Sequence, residues 1–242
     1  MSKAPLKQLH ARGGSNRPVR IALVGASGLI GQSLIRLGVG RSDFRIIAIA
    51  RRELALPPGA RMEVLLADPE NWGDAIAAAN ADVLVSALGT TWKKAGKNEA
   101  AFREVDYELV LDCGHAAKAA GINHMITVSS VGADPMARNV YLKVKGEIDR
   151  ALGRLGITRL DVIRPGLLRG VREERRPAER VAMILSPVID LLLHGGLRKY
   201  RSIRSETVAQ AIVGLSHEAM AGRFVFEHDA VVRAARRGLT RS

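Results

Sequence analysis

The chain has almost no cysteine. Cys113 is the single one in 242 residues, so no internal disulfide can form and a reducing compartment, the cytoplasm, is expected. Lying in a helical pattern, Cys113 reads as a packed side chain and not a nucleophile. Acids are missing from both ends. Lys3, Lys7, Arg12, Arg17 and Arg20 stand before or at the first apolar run with no Asp or Glu among them. Arg233, Arg236, Arg237 and Arg241 close the chain in the same way. These nine cations supply most of the formal net charge of +13 and leave +4 for the rest. A charge gathered in tails implies solubility or nonspecific polyanion contact, and no specific nucleic-acid partner is expected. Long apolar runs are missing too. The best membrane candidate, Val181 to Leu193, contains Ser186, Pro187 and Asp190 and is too short to span a bilayer. No secretory signal is expected, because the first residues contain no apolar region of the required kind. No internal repeat and no metal site is identified.

What is present is one stretch around which the chain is organised. Val19 to Val24 is apolar, and Gly25, Gly28 and Gly31 follow at three-residue intervals before a helical pattern begins. This spacing predicts a strand, a tight turn and a helix N-terminus. Gly25 would permit the turn, Gly28 would let backbone approach a pyrophosphate, and Gly31 would let the helix pack closely on the strand. A helix N-terminus presents free N–H groups and partial positive charge to a phosphate. A glycine triad alone is a weak signal; the strand before it and the helix after it strengthen it.

The rest of the chain alternates. Helix is predicted over Leu29 to Leu37 and strand over Phe44 to Ala50, Met62 to Leu66 and Asp82 to Ala87. A long helix is predicted from Asn98 to Ala120, strand from His124 to Ser129, helix from Asn139 to Leu155 and strand from Thr158 to Ile163. Six strands alternating with helices predict an α/β fold with a doubly wound parallel sheet. Ligands then bind beyond the carboxyl ends of the strands, where strands one and four separate. The expected organisation is a disordered basic tail over residues 1–18 and a single domain over 19–242. Within that domain, 167–200 forms a small lobe over the cleft. Ser205 to His217 and Ala230 to Arg237 read as further helices, and Phe224 to Phe226 as a short strand.

Arg51-Arg52 follows the second strand, where an acid would bind the ribose 2′-hydroxyl of NAD and an arginine accommodates the 2′-phosphate of NADP. The pair reads as a phosphate fork, with two solvated arginines as the alternative. Asp68 is read either as an adenine contact or as the N-cap of a helix opening at Pro69. Leu88-Gly89-Thr90-Thr91 would pass beneath a cofactor. Tyr141 and Lys145 are four apart and share a helix face. An ammonium favours the phenolate, so Tyr141 could exchange a proton with a carbonyl or alcohol oxygen. Of the two serines ending the fifth strand, Ser130 is preferred over Ser129 for bonding that oxygen.

Together these residues resemble the short-chain dehydrogenase/reductase superfamily in its extended or atypical branch. Further stretches resemble its Tat-interactive protein subgroup of NADPH-binding members: Lys94-Ala95-Gly96, Val105-Asp106-Tyr107, Ser129-Ser130-x-Gly132-Ala133-Asp134, Tyr141-Leu142-x-Val144-Lys145-Gly146-Glu147 and Arg164-Pro165-Gly166-x-Leu168. The resemblance spans about residues 19–215. It implies a triad of Ser130, Tyr141 and Lys145. It also implies NADP(H) contacts from Ser27, Gly28, Leu29, Ile30, Arg51, Arg52, Leu88, Gly89, Tyr141, Lys145, Leu168 and Arg176. Where the superfamily often has asparagine on the fourth helix, this chain has Asp106, which cannot donate as an amide does. The expected activity is hydride transfer between NADP(H) and a carbonyl or alcohol whose identity the sequence does not give. The alternative is an NADPH-binding regulator that meets a protein partner and turns over little.

Overall fold

A computed structural model describes residues 17–170 and 193–240. The elements run β1 (Val19–Val24), α1 (Leu29–Leu37), β2 (Phe44–Ala50), β3 (Glu63–Leu66), a 3-10 turn (Pro69–Asn71), α2 (Trp72–Ala78) and β4 (Val83–Ser86). Then come α3 (Glu99–Arg103), a π-helical turn (Glu104–Glu108), α4 (Leu109–Ala119), β5 (His124–Val128), α5 (Val140–Arg154) and β6 (Arg159–Ile163). The described part closes with β7 (Leu168–Arg169), a second 3-10 stretch (Gly195–Tyr200), β8 (Ile203–Arg204), α6 (Ser205–Ser216), β9 (Gly222–Phe226) and α7 (His228–Leu239).

Among the described residues the main sheet has seven strands, all parallel, in the order β3-β2-β1-β4-β5-β6-β9. The chain reverses its direction of winding between β1 and β4, which opens a crevice at their carboxyl ends. The central strands β1 and β4 are largely apolar on both faces, as a doubly covered sheet requires. In β1, Ile21 and Leu23 join the core layer under α1 and α6, whereas Ala22 and Val24 join the layer under α2, α4 and α5. The two-residue period thus fills two cores at once.

Two elements differ from the sequence expectation. The long helix predicted over residues 98–120 is interrupted by the π-helical turn at Glu104–Glu108. The extra residue in that turn carries Asp106 into the interior, where it is 0% exposed. The short strand expected at Phe224 to Phe226 begins two residues earlier and is the seventh strand of the sheet, paired with β6 from Gly222 onward. Gly222 and Arg223 carry no strand signal of their own and are strand through pairing with Arg159 and Leu160 of β6; the Arg159 guanidinium lies 4.7 Å from the Phe224 ring centroid.

The N-terminal cations are also less isolated than their sequence suggests. Arg17 grips both carboxylate oxygens of Asp82 at 2.9 and 2.7 Å, and the Arg20 backbone N–H donates to the same carboxylate. Arg237 lies 3.2 Å from Glu218. Residues 1–16, which hold most of the expected tail, lie outside the described residues, as do 171–192 of the expected lobe. Among the described residues no helix is long and apolar enough to cross a membrane.

Cys113 is buried on α4. Burial, with the nearby Asp112 charge, pushes its thiol up to about 12, so the reactive thiolate is scarce at neutral pH. Iodoacetamide at pH 7.5 should leave Cys113 unlabelled in the folded protein and label it fully in guanidinium, as read by intact mass. Rapid labelling of the folded chain would contradict this placement.

Candidate dinucleotide and proton-transfer site

The turn after β1 is built by close approach. Gly25 has φ of +82°, and a Cβ there would lie 2.5 Å from the Ala87 carbonyl carbon and oxygen. A Cβ at Gly31 would lie 2.4 Å from the Gly25 oxygen. At these two positions the protein's own backbone requires glycine. Gly28 differs. Its φ is −76°, and a Cβ would have one tight neighbour, the Gly25 oxygen at 3.3 Å. The fold itself thus demands glycine less strictly at Gly28 than at Gly25 or Gly31.

Gly28 is also the N-cap of α1, with no side-chain cap and no acid in the first turn. The N–H groups of Leu29, Ile30 and Gly31 therefore lack the usual side-chain acceptor. Ile30 is buried, so only its backbone can face a ligand, while Ser27 and Gly28 are exposed. An uncapped, acid-free helix start behind an exposed glycine fits a pyrophosphate.

Beside this turn, Arg51 and Arg52 are both exposed just past the end of β2. Asp68 occupies the N-cap position of the Pro69–Asn71 turn, but its carboxylate makes no capping bond; its backbone oxygen accepts from Asn71 at 2.9 Å. The side-chain cap weighed for it is thus absent, and the carboxylate is exposed. Leu88 and Gly89 open the loop after β4. Leu168 is half-buried in β7 and pairs with Ile203. Arg176 lies outside the described residues.

The second half of the site centres on α5. Asn139 caps this helix, its side chain accepting from the Leu142 N–H at 3.2 Å, and Gly156 with φ of +73° follows its end. Tyr141 and Lys145 stand one turn apart on it. The Lys145 side chain is 5% exposed, and its Nζ sits 2.7 Å from Oδ1 of Asp106. Oδ2 of Asp106 accepts the Thr90 N–H at 2.7 Å. A Cβ at Gly89 would be 3.5 Å from Oδ1 of Asp106 and 3.8 Å from Nζ of Lys145, so the pair lies directly against the loop. Burial opposes the Lys145 charge, but the Asp106 carboxylate, with Tyr141 and Asp149 adding to it, holds Lys145 above the ordinary lysine value. The Tyr141 ring packs on Phe102 at 5.5 Å, and Phe102 packs edge-on to Trp92 at 5.8 Å.

The two serines are placed differently. Ser129 is buried, and its hydroxyl donates to Oδ2 of Asp149 at 3.0 Å. Ser130 is half-buried, and its hydroxyl bonds only the neighbouring Val131 oxygen at 3.3 Å. Sequence reasoning missed Asp149 as part of this site. It lies one turn beyond Lys145 on the same α5 face, and that i, i+4 spacing was the available signal. Arg164, just after β6, grips the same Oδ2 at 2.9 and 2.8 Å. Burial pushes the Asp149 carboxyl up, and Arg164 and Ser129 only partly offset it. Among the described residues no group of His, Cys, Asp and Glu could hold a metal.

A family model described as NAD(P)H-binding matches residues 25–219. "Protein fmp52, mitochondrial" of Emericella nidulans is 31% identical over 209 residues, covering 84% of this chain and 89% of that one. "Protein HTATIP2" of Rattus norvegicus is 37% identical over 166 residues, covering 67% and 68%. A solved structure, the putative NAD-dependent epimerase/dehydratase from Bacillus halodurans, superposes with a TM-score of 0.65. It is 20% identical, with 90% of this chain and 99% of that chain covered. The expected cytoplasmic setting is overturned, because the fmp52 relatives are named mitochondrial. Scarcity of cysteine argues against an oxidising compartment and does not choose among reducing ones. By family match, relatives and fold together, the chain belongs to the NAD(P)H-binding family, as an atypical short-chain dehydrogenase/reductase.

Proposed function

We propose that the protein is an NADP(H)-dependent oxidoreductase acting on a carbonyl or alcohol, with Tyr141 as the acid/base. The observation that carries this reading is the placement of α5. It sets a half-buried tyrosine one turn from a buried ammonium, and that ammonium lies against the loop after β4, whose first residues meet the turn after β1. The α1 N-terminus would hold the pyrophosphate, Arg51 and Arg52 the ribose 2′-phosphate, and Lys145 the nicotinamide ribose. When bound, the nicotinamide supplies or accepts hydride at the substrate carbon. Tyr141 gives or takes the proton at the substrate oxygen, and Ser130, whose hydroxyl has no stronger partner, orients that oxygen. A steady-state screen of carbonyl substrates with NADPH tests the reading, with native mass spectrometry of the purified protein to reveal a retained dinucleotide.

One observation favours a second reading. Asp106 stands where an amide donor would serve a proton relay, and it is spent on Lys145 and Thr90. A regulator that binds NADPH without turnover would tolerate this. Absence of turnover across the screen, with tight NADPH binding kept, would favour that reading.

NADPH should bind more tightly than NADH, because two arginines and no acid meet the ribose. Arg51→Ala/Arg52→Ala should weaken NADPH binding roughly thirtyfold, the worth of a charge-assisted phosphate contact, and leave NADH affinity unchanged. Calorimetry with both cofactors measures this. Equal losses for the two would remove the 2′-phosphate assignment.

A further inference from the structure

Ser130 and Tyr141 have to meet one substrate oxygen, yet they stand on different elements. Ser130 lies just past the end of β5, and Tyr141 stands in the first turn of α5. Backbone bonds hold the end of β5 to the end of β6. The Ser129 N–H donates to the Ile163 oxygen at 2.8 Å and the Val131 N–H to the Pro165 oxygen at 3.0 Å. Neither bond reaches the helix. Contacts on both sides of Ser130 do. After it, the Asp134 N–H donates to the Leu142 oxygen at 3.2 Å. A Cβ at Gly146 would lie 2.2 Å from the Asp134 carbonyl carbon, so the loop crosses α5 in backbone contact. Before it, Asp149 holds the helix to both strand ends. Oδ2 of Asp149 accepts from the Ser129 hydroxyl at 3.0 Å and from two nitrogens of Arg164 at 2.9 and 2.8 Å. Oδ1 is buried and has no hydrogen-bond partner among the described residues. One oxygen thus joins α5, the end of β5 and the end of β6. Directional bonds of this kind specify one arrangement of the elements they join.

We propose that Asp149 is a positioning residue. By tying α5 to Ser129 and Arg164 it sets Ser130 within reach of the same substrate oxygen as Tyr141. Asp149 is 1% exposed, so it acts through Ser130 and not on the substrate itself. What it supplies is an acceptor in a fixed place, not a charge. The proposal rests on the oxidoreductase reading and adds to it the group that aligns its two hydroxyls.

The unbonded Oδ1 makes the test specific. Asp149→Asn can set its amide oxygen in place of Oδ2 and its NH2 in place of Oδ1, which keeps all the bonds and removes the charge. Asp149→Ala keeps none of them, and Arg164, partly exposed, can then turn to water. In steady-state kinetics with NADPH and a carbonyl substrate found by screening, Asp149→Ala should lower kcat by roughly a hundredfold, the cost of about 1 Å of misplacement. NADPH affinity by calorimetry should be unchanged. Asp149→Asn should recover most of the loss. Ser130→Ala should lower kcat in the parent and add little to Asp149→Ala, because the two act through one contact. An Asn variant as impaired as the Ala variant would make the charge the active feature. Losses that multiply in Asp149→Ala/Ser130→Ala would show independent action. Either result overturns the proposal. Should Asp149→Ala not fold, Ser129→Ala takes its place, cutting the tie to β5 and leaving the Arg164 bonds. A lowered kcat that does not multiply with Ser130→Ala is expected there, and a parental kcat overturns the proposal.

Amide hydrogen exchange needs no turnover. Exchange over residues 129–134 should quicken about tenfold or more in Asp149→Ala as the segment opens locally, and stay near the parental rate in Asp149→Asn. Unchanged exchange in a folded Asp149→Ala protein overturns the proposal, whether or not the protein is an oxidoreductase. The expected exchange pattern with no turnover across the screen upholds the tie and removes the reaction, so the oxidoreductase reading fails separately.

Discussion

Replacing Tyr141 with phenylalanine should lower turnover by roughly 10²–10⁴, the usual contribution of a positioned acid/base group, and leave NADPH affinity essentially unchanged. The substitution removes one hydroxyl. The ring keeps its support, because Phe102 is fully buried and packs on it at 5.5 Å, so the α5 face stays where it is. Loss of kcat with KM little changed is the pattern of an interaction made only in the transition state. The measurement is steady-state kinetics on a substrate found by screening, beside calorimetry with NADPH. A Tyr141→Phe protein that turns over at the parent rate would remove Tyr141 from the chemistry and leave the regulator as the better account.

Much of the frame was legible because it depends on local pattern. Strand β2 falls on the predicted residues Phe44–Ala50 and helix α1 on Leu29–Leu37, since one is an apolar run broken by Arg45 alone and the other has a clean helical period after a glycine turn. The glycine triad was legible for the same reason: its spacing is local, and its requirement for close approach is met at Gly25 and Gly31. Strand β9 was half-read, because Gly222 and Arg223 carry no strand signal and become strand only by pairing with Arg159 and Leu160. That is a tertiary effect overriding propensity.

The site was less legible, because its decisive contacts join residues far apart in sequence. Asp106 could be noticed by motif, but its burial against Lys145 depends on a π-helical turn that helical period does not encode. In the sequence Asp149 is one of several charges along α5. Its role appears only when Ser129 from β5 and Arg164 from β6 converge on one of its oxygens. The preference for Ser130 over Ser129 rested on nearness to the loop. The structure adds a chemical difference, since Ser129 already donates to Asp149 while Ser130 bonds only a neighbouring backbone oxygen.

The Lys145→Met variant should be among the least stable single substitutions in this site, losing about 3–5 kcal/mol of folding stability. Methionine fills similar volume, so the loss does not come from a cavity. It comes from Asp106, which would remain fully buried with its ammonium partner gone. Removing one member of a buried pair is costly because the desolvation of the other is no longer offset. Neutralising both should therefore restore much of the loss, so that Asp106→Asn/Lys145→Met is more stable than Lys145→Met alone despite carrying one more substitution. The pH dependence has a definite sign. Lys145 is held above the ordinary lysine value in the folded chain, so its contribution is fully present below the unfolded lysine pKa of ~10.4. It is lost as pH rises from there through the raised folded value. The gap between wild type and Lys145→Met in urea denaturation should then be constant over pH 7 to 9 and narrow above pH ~10.4. A single variant as stable as the parent at pH 7, or a double variant less stable than the single one, would show that Asp106 and Lys145 do not depend on each other in the folded protein.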